Sequence, residues 1–302
     1  MRNLLAILGA STHTLAWLVL SAAVVGPTLS AARGDIRSEP SAFADHLTPE
    51  GLVSICGALT LLAVGRFSPE EAGQLPIAMY GAYDEMGPAP SLVLHELQGG
   101  GDGALWIEPS APASDLGIVF LHGYGGNFTI NCWQFAQAAP HARTVCPSLG
   151  VPARWSSKRG RQVIERSIRA LKGAGARRVV LAGLSQGALG ASVHARPLRH
   201  QIAGLVLVSG VSRRASVPGV PLLVVHGTRD TWTAGAPARS LARRAGPHGE
   251  LAMVRGGHFV FLQQRHKVRN LIQQWLSKLP APPRALPGQP ALLGSDTTGT
   301  RG

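Results

Sequence analysis

From residue 92 onward the chain carries short, continuously apolar, partly β-branched runs at 92–97, 104–107, 117–121, 143–146, 178–182, 204–209 and 221–226, with a weaker eighth at 251–254. Runs of this length read as strands, and unbroken rather than alternating hydrophobicity fits strands covered on both faces. Helical patterns separate several of them. Ile164, Ile168 and Leu171 form one apolar stripe, and 262–279 carries another. Strands alternating with helices require crossover connections, and these produce a mostly parallel sheet. The expected architecture is therefore α/β: a central sheet of about eight strands with helices on both faces. At 302 residues the chain is long enough to bury such a core without staples.

The most informative stretch follows the fifth run. It reads Gly183-Leu184-Ser185-Gln186-Gly187, the chain's one Gly-x-Ser-x-Gly, between a strand and a small-residue helix start. A turn that sharp strains the serine backbone and leaves Gly183 and Gly187 no room for side chains. It holds the Ser185 hydroxyl clear of the sheet at a helix N-terminus, where developing negative charge is favoured.

A nucleophilic serine needs a base, and the base needs an orienting group. Between Ser185 and His258 there are two acids, Asp230 and Glu250. Asp230 follows the run at 221–226 and emerges at the same sheet edge as Ser185, whereas Glu250 opens the last strand at the opposite edge. His258 follows that last strand. Each residue alone has an ordinary reading, as helix cap, turn former or loop histidine. Three strand ends bearing Ser, Asp and His in that order read as a catalytic triad.

After the run at 117–121 stands His122-Gly123-Tyr124-Gly125-Gly126-Asn127. A glycine-rich loop there lets backbone N–H groups turn towards a tetrahedral oxyanion. The expected donors are the amides of Tyr124 and Gln186, with His122 holding the loop as a structural residue and Gly123 supporting it. Trp155 and Trp232 follow strands at this edge and are candidate pocket walls, packing beneath loops being the alternative. Between 209 and 219 there is only a short Ser/Arg/Pro linker, so no large lid is expected.

Residues 92–278 resemble the α/β-hydrolase superfamily. Gly183 to Gly187, His122-Gly123-Tyr124-Gly125 and Trp155 resemble the carboxylesterase and acyl-protein thioesterase branch. That likeness implies an α/β-hydrolase fold and a Ser/Asp/His hydrolase with no cofactor and no metal. A small-molecule or lipid ester would be its substrate. The sequence departs from the branch in its N-terminal prefix and at Asp230-Thr231-Trp232, where relatives usually carry a proline or small residue. Acyl transfer or peptide hydrolysis on the same triad, and a silent envelope-binding scaffold, stay open at this stage.

The flanks divide into four regions. Residues 1–32 read as a signal peptide or membrane anchor: Met1-Arg2-Asn3, an apolar run over 4–25, then Ser30-Ala31-Ala32 before Arg33. Either form implies an exported or envelope-associated body. Residues 33–90 read as a short helical prefix, with one helix after Thr48-Pro49 and a second, short one opened by Ser68-Pro69-Glu70-Glu71. The hydrolase-like domain spans 91–279, and 280–302 is a Pro/Gly-rich tail expected to be disordered. Outside the cytoplasm Cys132 and Cys146 could pair.

The net charge is +13, from 29 Lys and Arg against 16 Asp and Glu. Nine of the basic residues fall between Arg154 and Arg178. They read either as a solvated helix face or as an attraction to an anionic membrane or wall polymer. Nucleic acid is disfavoured, because no recognition module or aromatic–basic platform accompanies the charge.

Overall fold

The computed structural model describes residues 69–86, 93–97, 102–124, 127, 129–150 and 153–280. The expected leader, the first prefix helix and the tail beyond Pro280 lie outside the described residues.

Eight strands form one sheet: β1 (Val93–Leu97), β2 (Asp102–Ile107), β3 (Leu116–Leu121), β4 (Arg143–Pro147), β5 (Arg178–Leu184), β6 (Gly204–Val208), β7 (Leu222–Gly227) and β8 (Gly249–Val254). Their order is β1-β2-β4-β3-β5-β6-β7-β8. The β1–β2 and β2–β4 pairs are antiparallel, and the remaining pairs are parallel. Each apolar run read from the sequence overlaps one of these strands.

Among the described residues seven α-helices accompany the sheet: α1 (Pro69–Met86), α2 (Thr129–Ala138), α3 (Lys158–Gly173), α4 (Gln186–His194), α5 (Gly235–Ala245), α6 (Val260–Gln263) and α7 (Arg265–Ser277). Alternation along the strands sorts the core into two layers. Val119, Leu121, Leu181, Leu205 and Leu207 pack against α3, α4 and α5. Ile118, Phe120, Val180, Val206 and Val208 pack against α1, α2, α6 and α7. Strands buried on both faces explain why these runs lack polar alternation.

Two features differ from or complete the sequence reading. The second prefix helix was expected to be short, but α1 runs for 18 residues, across Gly73 and Pro76. Tertiary packing overrides the weak local propensity. Leu75, Ala78 and Ala82 are buried in the same core as α2 and α7, and Glu85 pairs with Arg265 and Arg269 of α7. This helix therefore belongs to the body rather than preceding it. Cys132 on α2 and Cys146 on β4 form a disulfide, fourteen residues apart.

The topology also fixes where a site can form. Beyond β3 the chain crosses to β4 on one side, whereas beyond β5 it crosses to β6 on the other. At such a switch point the loops diverge and leave a crevice at the carboxyl ends of the strands. The loops carrying His122 and Ser185 begin there. The linker from β6 to β7 contains no helix, so nothing of lid size is inserted between them.

Candidate active site

Ser185 stands between β5 and α4 with φ 53° and ψ −115°, a backbone conformation few non-glycine residues adopt. The surrounding structure over-determines it. Its amide donates to the Val208 carbonyl at 2.9 Å, and its own carbonyl accepts from the Leu189 amide at 2.9 Å. A β-carbon on Gly183 would stand 2.5 Å from the carbonyl carbon of Gly187. One on Gly187 would collide with the Leu121 carbonyl at the end of β3. Both glycines are thus demanded by close backbone approach, as the pentapeptide implied.

From this turn the Ser185 hydroxyl donates to Nε2 of His258 at 2.8 Å. On the other side of the ring, Nδ1–H of His258 donates to Asp230 Oδ2 at 3.0 Å. The three residues, read separately after three strands, form one continuous hydrogen-bonded chain. His258 is 5% exposed, and the Asp230 side chain is fully buried. Burial alone would raise the Asp230 pKa. The hydrogen bond and charge of His258, with hydrogen bonds from Thr233, outweigh burial and lower the value to about 2.

Thr233 and Trp232 complete the support. The amides of Trp232 and Thr233 donate to Asp230 Oδ1 at 2.8 and 2.9 Å. The Thr233 hydroxyl lies 2.7 Å from Asp230 Oδ2 and 3.0 Å from the Ser209 carbonyl. Trp232 stacks on the His258 imidazole, with centroids 4.9 Å apart and planes 14° apart. One candidate wall therefore stands against the His258 ring. Thr233 was missed in the sequence. Its signal was readable as an Asp whose carboxylate caps the two amides that follow, a common turn device. His226 lies beneath, its Nε2 3.9 Å from Asp230 Oδ2. Burial lowers its pKa more than Asp230 raises it, which favours the neutral ring.

The glycine-rich loop is held from below. Nε2 of His122 accepts from the Leu149 amide at 3.1 Å, which leaves Nδ1 protonated to donate to the Gly123 carbonyl at 2.7 Å. Both bonds require a neutral ring, and burial lowers its pKa accordingly. His122 thus braces the loop and points neither nitrogen at Ser185. A β-carbon on Gly123 would lie 3.3 Å from Cβ of Ser185, so the loop passes directly beside that serine. The amide of Gln186 is the first of α4 and lacks an acceptor within that helix. The side-chain amide of Asn127 donates to the Cys146 carbonyl at 2.8 Å, tying the far end of the loop to the disulfide-bearing strand. Asn127 was not singled out from the sequence.

Trp155 is a correction. It was a candidate pocket wall, yet it is 0% exposed, and its indole N–H donates to the His122 carbonyl at 2.9 Å. Its carbonyl is bonded by His194 of α4 at 2.9 Å. A ring that no water can reach offers no surface to a substrate, so Trp155 supports the loop and α4 from within. Glu250, the acid set aside earlier, pairs with Lys278 on the surface, away from the triad.

No protein-family model matches the chain, and no curated protein does. Solved structures do resemble it. A lidless α/β serine hydrolase from Xanthomonas campestris superposes with a TM-score of 0.50 at 15% identity, over 64% of this chain and 96% of the other. A soluble variant of monoglyceride lipase from Saccharomyces cerevisiae, bound to a substrate analogue, gives 0.51 at 13% identity, over 64% and 96%. A thermostable esterase gives 0.48 at 16% identity, and the chain spans 62% of that protein's length. With the sheet order and the strained serine turn, the likenesses to the lidless serine hydrolase and to the monoglyceride lipase identify the fold of the chain as that of the α/β hydrolases.

Proposed function

We propose that this protein is a serine hydrolase that cleaves carboxylic esters or thioesters through an acyl-enzyme. The observation that carries the proposal is the unbroken hydrogen-bond chain from Ser185 Oγ through His258 to the buried Asp230 carboxylate. In this reading Nε2 of His258 takes the hydroxyl proton as Oγ attacks the substrate carbonyl. Asp230 fixes the imidazole tautomer and stabilises the imidazolium without taking up the proton. The amides of Gln186 and Tyr124 are the proposed oxyanion donors, each worth about 3 kcal/mol at the transition state. Nε2–H then protonates the departing alcohol or thiol. A water molecule, deprotonated by the same nitrogen, then attacks the acyl carbon, and Nε2–H gives that proton to Ser185 Oγ as the acid leaves.

Trp232 is the proposed wall beside the base, and the short linker after β6 leaves the entrance uncovered. Accessible acyl groups on small molecules or lipids therefore suit the site. Export fits the buried disulfide, because such bonds persist in oxidising compartments.

A fluorophosphonate probe tests the nucleophile. It should label the wild-type protein and leave Ser185→Ala unlabelled, with nitrophenyl ester turnover lost in parallel. Undiminished labelling of Ser185→Ala would refute the assignment. An unlabelled, inactive wild type would instead favour a silent scaffold.

A further inference from the structure

The net positive charge is concentrated in one stretch of the chain. Between Arg154 and Arg244 the sequence holds seventeen Lys and Arg against two acids, Glu165 and Asp230. The remaining residues carry twelve basic against fourteen acidic groups, so this single stretch supplies the whole excess. The fold gathers it spatially, because α3, α4 and α5 all cover the same face of the sheet. Five Lys and Arg are exposed on α3 and three on α5. Four more, Arg196, Arg199, Arg213 and Arg214, are exposed on the segments between them.

The two acids within this stretch leave its charge in excess, and Asp115 from outside it pairs with Arg177 and Arg178. Asp230 is buried with His258, and Glu165 is engaged by Arg161. The opposite layer is different: α2 has no charged residue, and Glu85 of α1 pairs with Arg265 and Arg269.

We infer that the α3–α5 face is a docking surface for an anionic lipid bilayer, which it meets while the carboxyl-end crevice stays open at its margin. A broad layer of guanidinium and ammonium groups complements a plane of lipid phosphates, each group near the surface adding its own attraction. Nucleic acid fits the face less well. Neither α3 nor α5 carries an aromatic residue on which bases could stack. The apolar run at 4–25 also places a membrane-seeking segment on the same chain.

Vesicle co-sedimentation of the full chain tests this. The readout is the ratio of partition into phosphatidylcholine–phosphatidylglycerol vesicles over partition into phosphatidylcholine alone. Both vesicles offer the same hydrocarbon to the apolar run, so the ratio reports charge. It should be large at about 0.1 M salt and fall towards one near 1 M, as the screening length shrinks from about 10 Å to about 3 Å. The combination Arg169→Gln, Lys172→Gln, Arg239→Gln and Arg243→Gln should lower it by about fivefold per charge removed. Lys267→Gln, on α7 of the opposite layer, should change it by less than about twofold.

Arg169→Lys, Arg239→Lys and Arg243→Lys keep the charge and should keep the ratio, which guards against misfolding of the neutral variant. A ratio near one for the wild type would overturn the inference, as would a neutralised variant that partitions like the wild type. Displacement of the vesicles by a DNA duplex at equal phosphate concentration would reassign the face to nucleic acid.

Discussion

At the residue scale, the placement of Asp230 depends on a neighbour that contributes no charge. The Thr233 hydroxyl lies within donating reach of both the Asp230 carboxylate and the carbonyl of Ser209, at the end of the neighbouring strand. Thr233→Val removes the hydroxyl while keeping the shape, and leaves one carboxylate oxygen short of a partner. We expect kcat to fall about tenfold with KM little changed, as for an interaction that matters only when the imidazolium forms, and Thr233→Ser to restore it. Equal kcat in Thr233→Val and wild type would remove Thr233 from the machinery. Ser185, Asp230 and His258 were legible because each falls immediately after an apolar strand, and strand ends at one sheet edge must converge. Thr233 and Trp155 were not legible in the same way. The first acts through a turn whose geometry depends on Asp230 already being in place. The orientation of the second is decided by α4, against which it is wedged.

At the scale of elements, the disulfide links the helix that follows the glycine-rich loop to the strand on which that loop's last described residue rests. Closing a loop of about fifteen residues is worth roughly 3 kcal/mol through the entropy of the unfolded chain. Replacing Cys132 and Cys146 by Ala should lower stability by about 2–4 kcal/mol in denaturant titration. The accompanying loss of kcat should exceed any change in the reactivity of Ser185 towards a small probe, because Asn127 is anchored on Cys146. Unchanged stability would mean that packing of α2 alone holds the loop. Strand positions were readable to within a residue or two, since a strand buried on both faces announces itself by composition. The length of α1 was not. Its glycine and proline disfavour a helix locally, and only contacts with α7, distant in sequence, sustain it.

At the scale of the whole molecule, three buried histidines set an acid limit. Desolvation lowers the pKa of His122, His194 and His226 below the ordinary value. Each is neutral when folded and binds a proton on unfolding, so the stability it confers is complete above about pH 6.5 and declines as pH falls below that. Melting temperature should therefore fall steeply between pH 6.5 and 5, well above the range in which Asp230 takes up its proton. A flat profile over that interval would show that the three rings stay solvated. The lopsided charge carries a practical corollary of another kind. On an anionic resin the protein should be held by its α3–α5 side in one preferred pose, with the crevice left facing the liquid. Simple adsorption would then yield an oriented film in which nearly every molecule can be reached by solute, with no covalent linker to choose the attachment point.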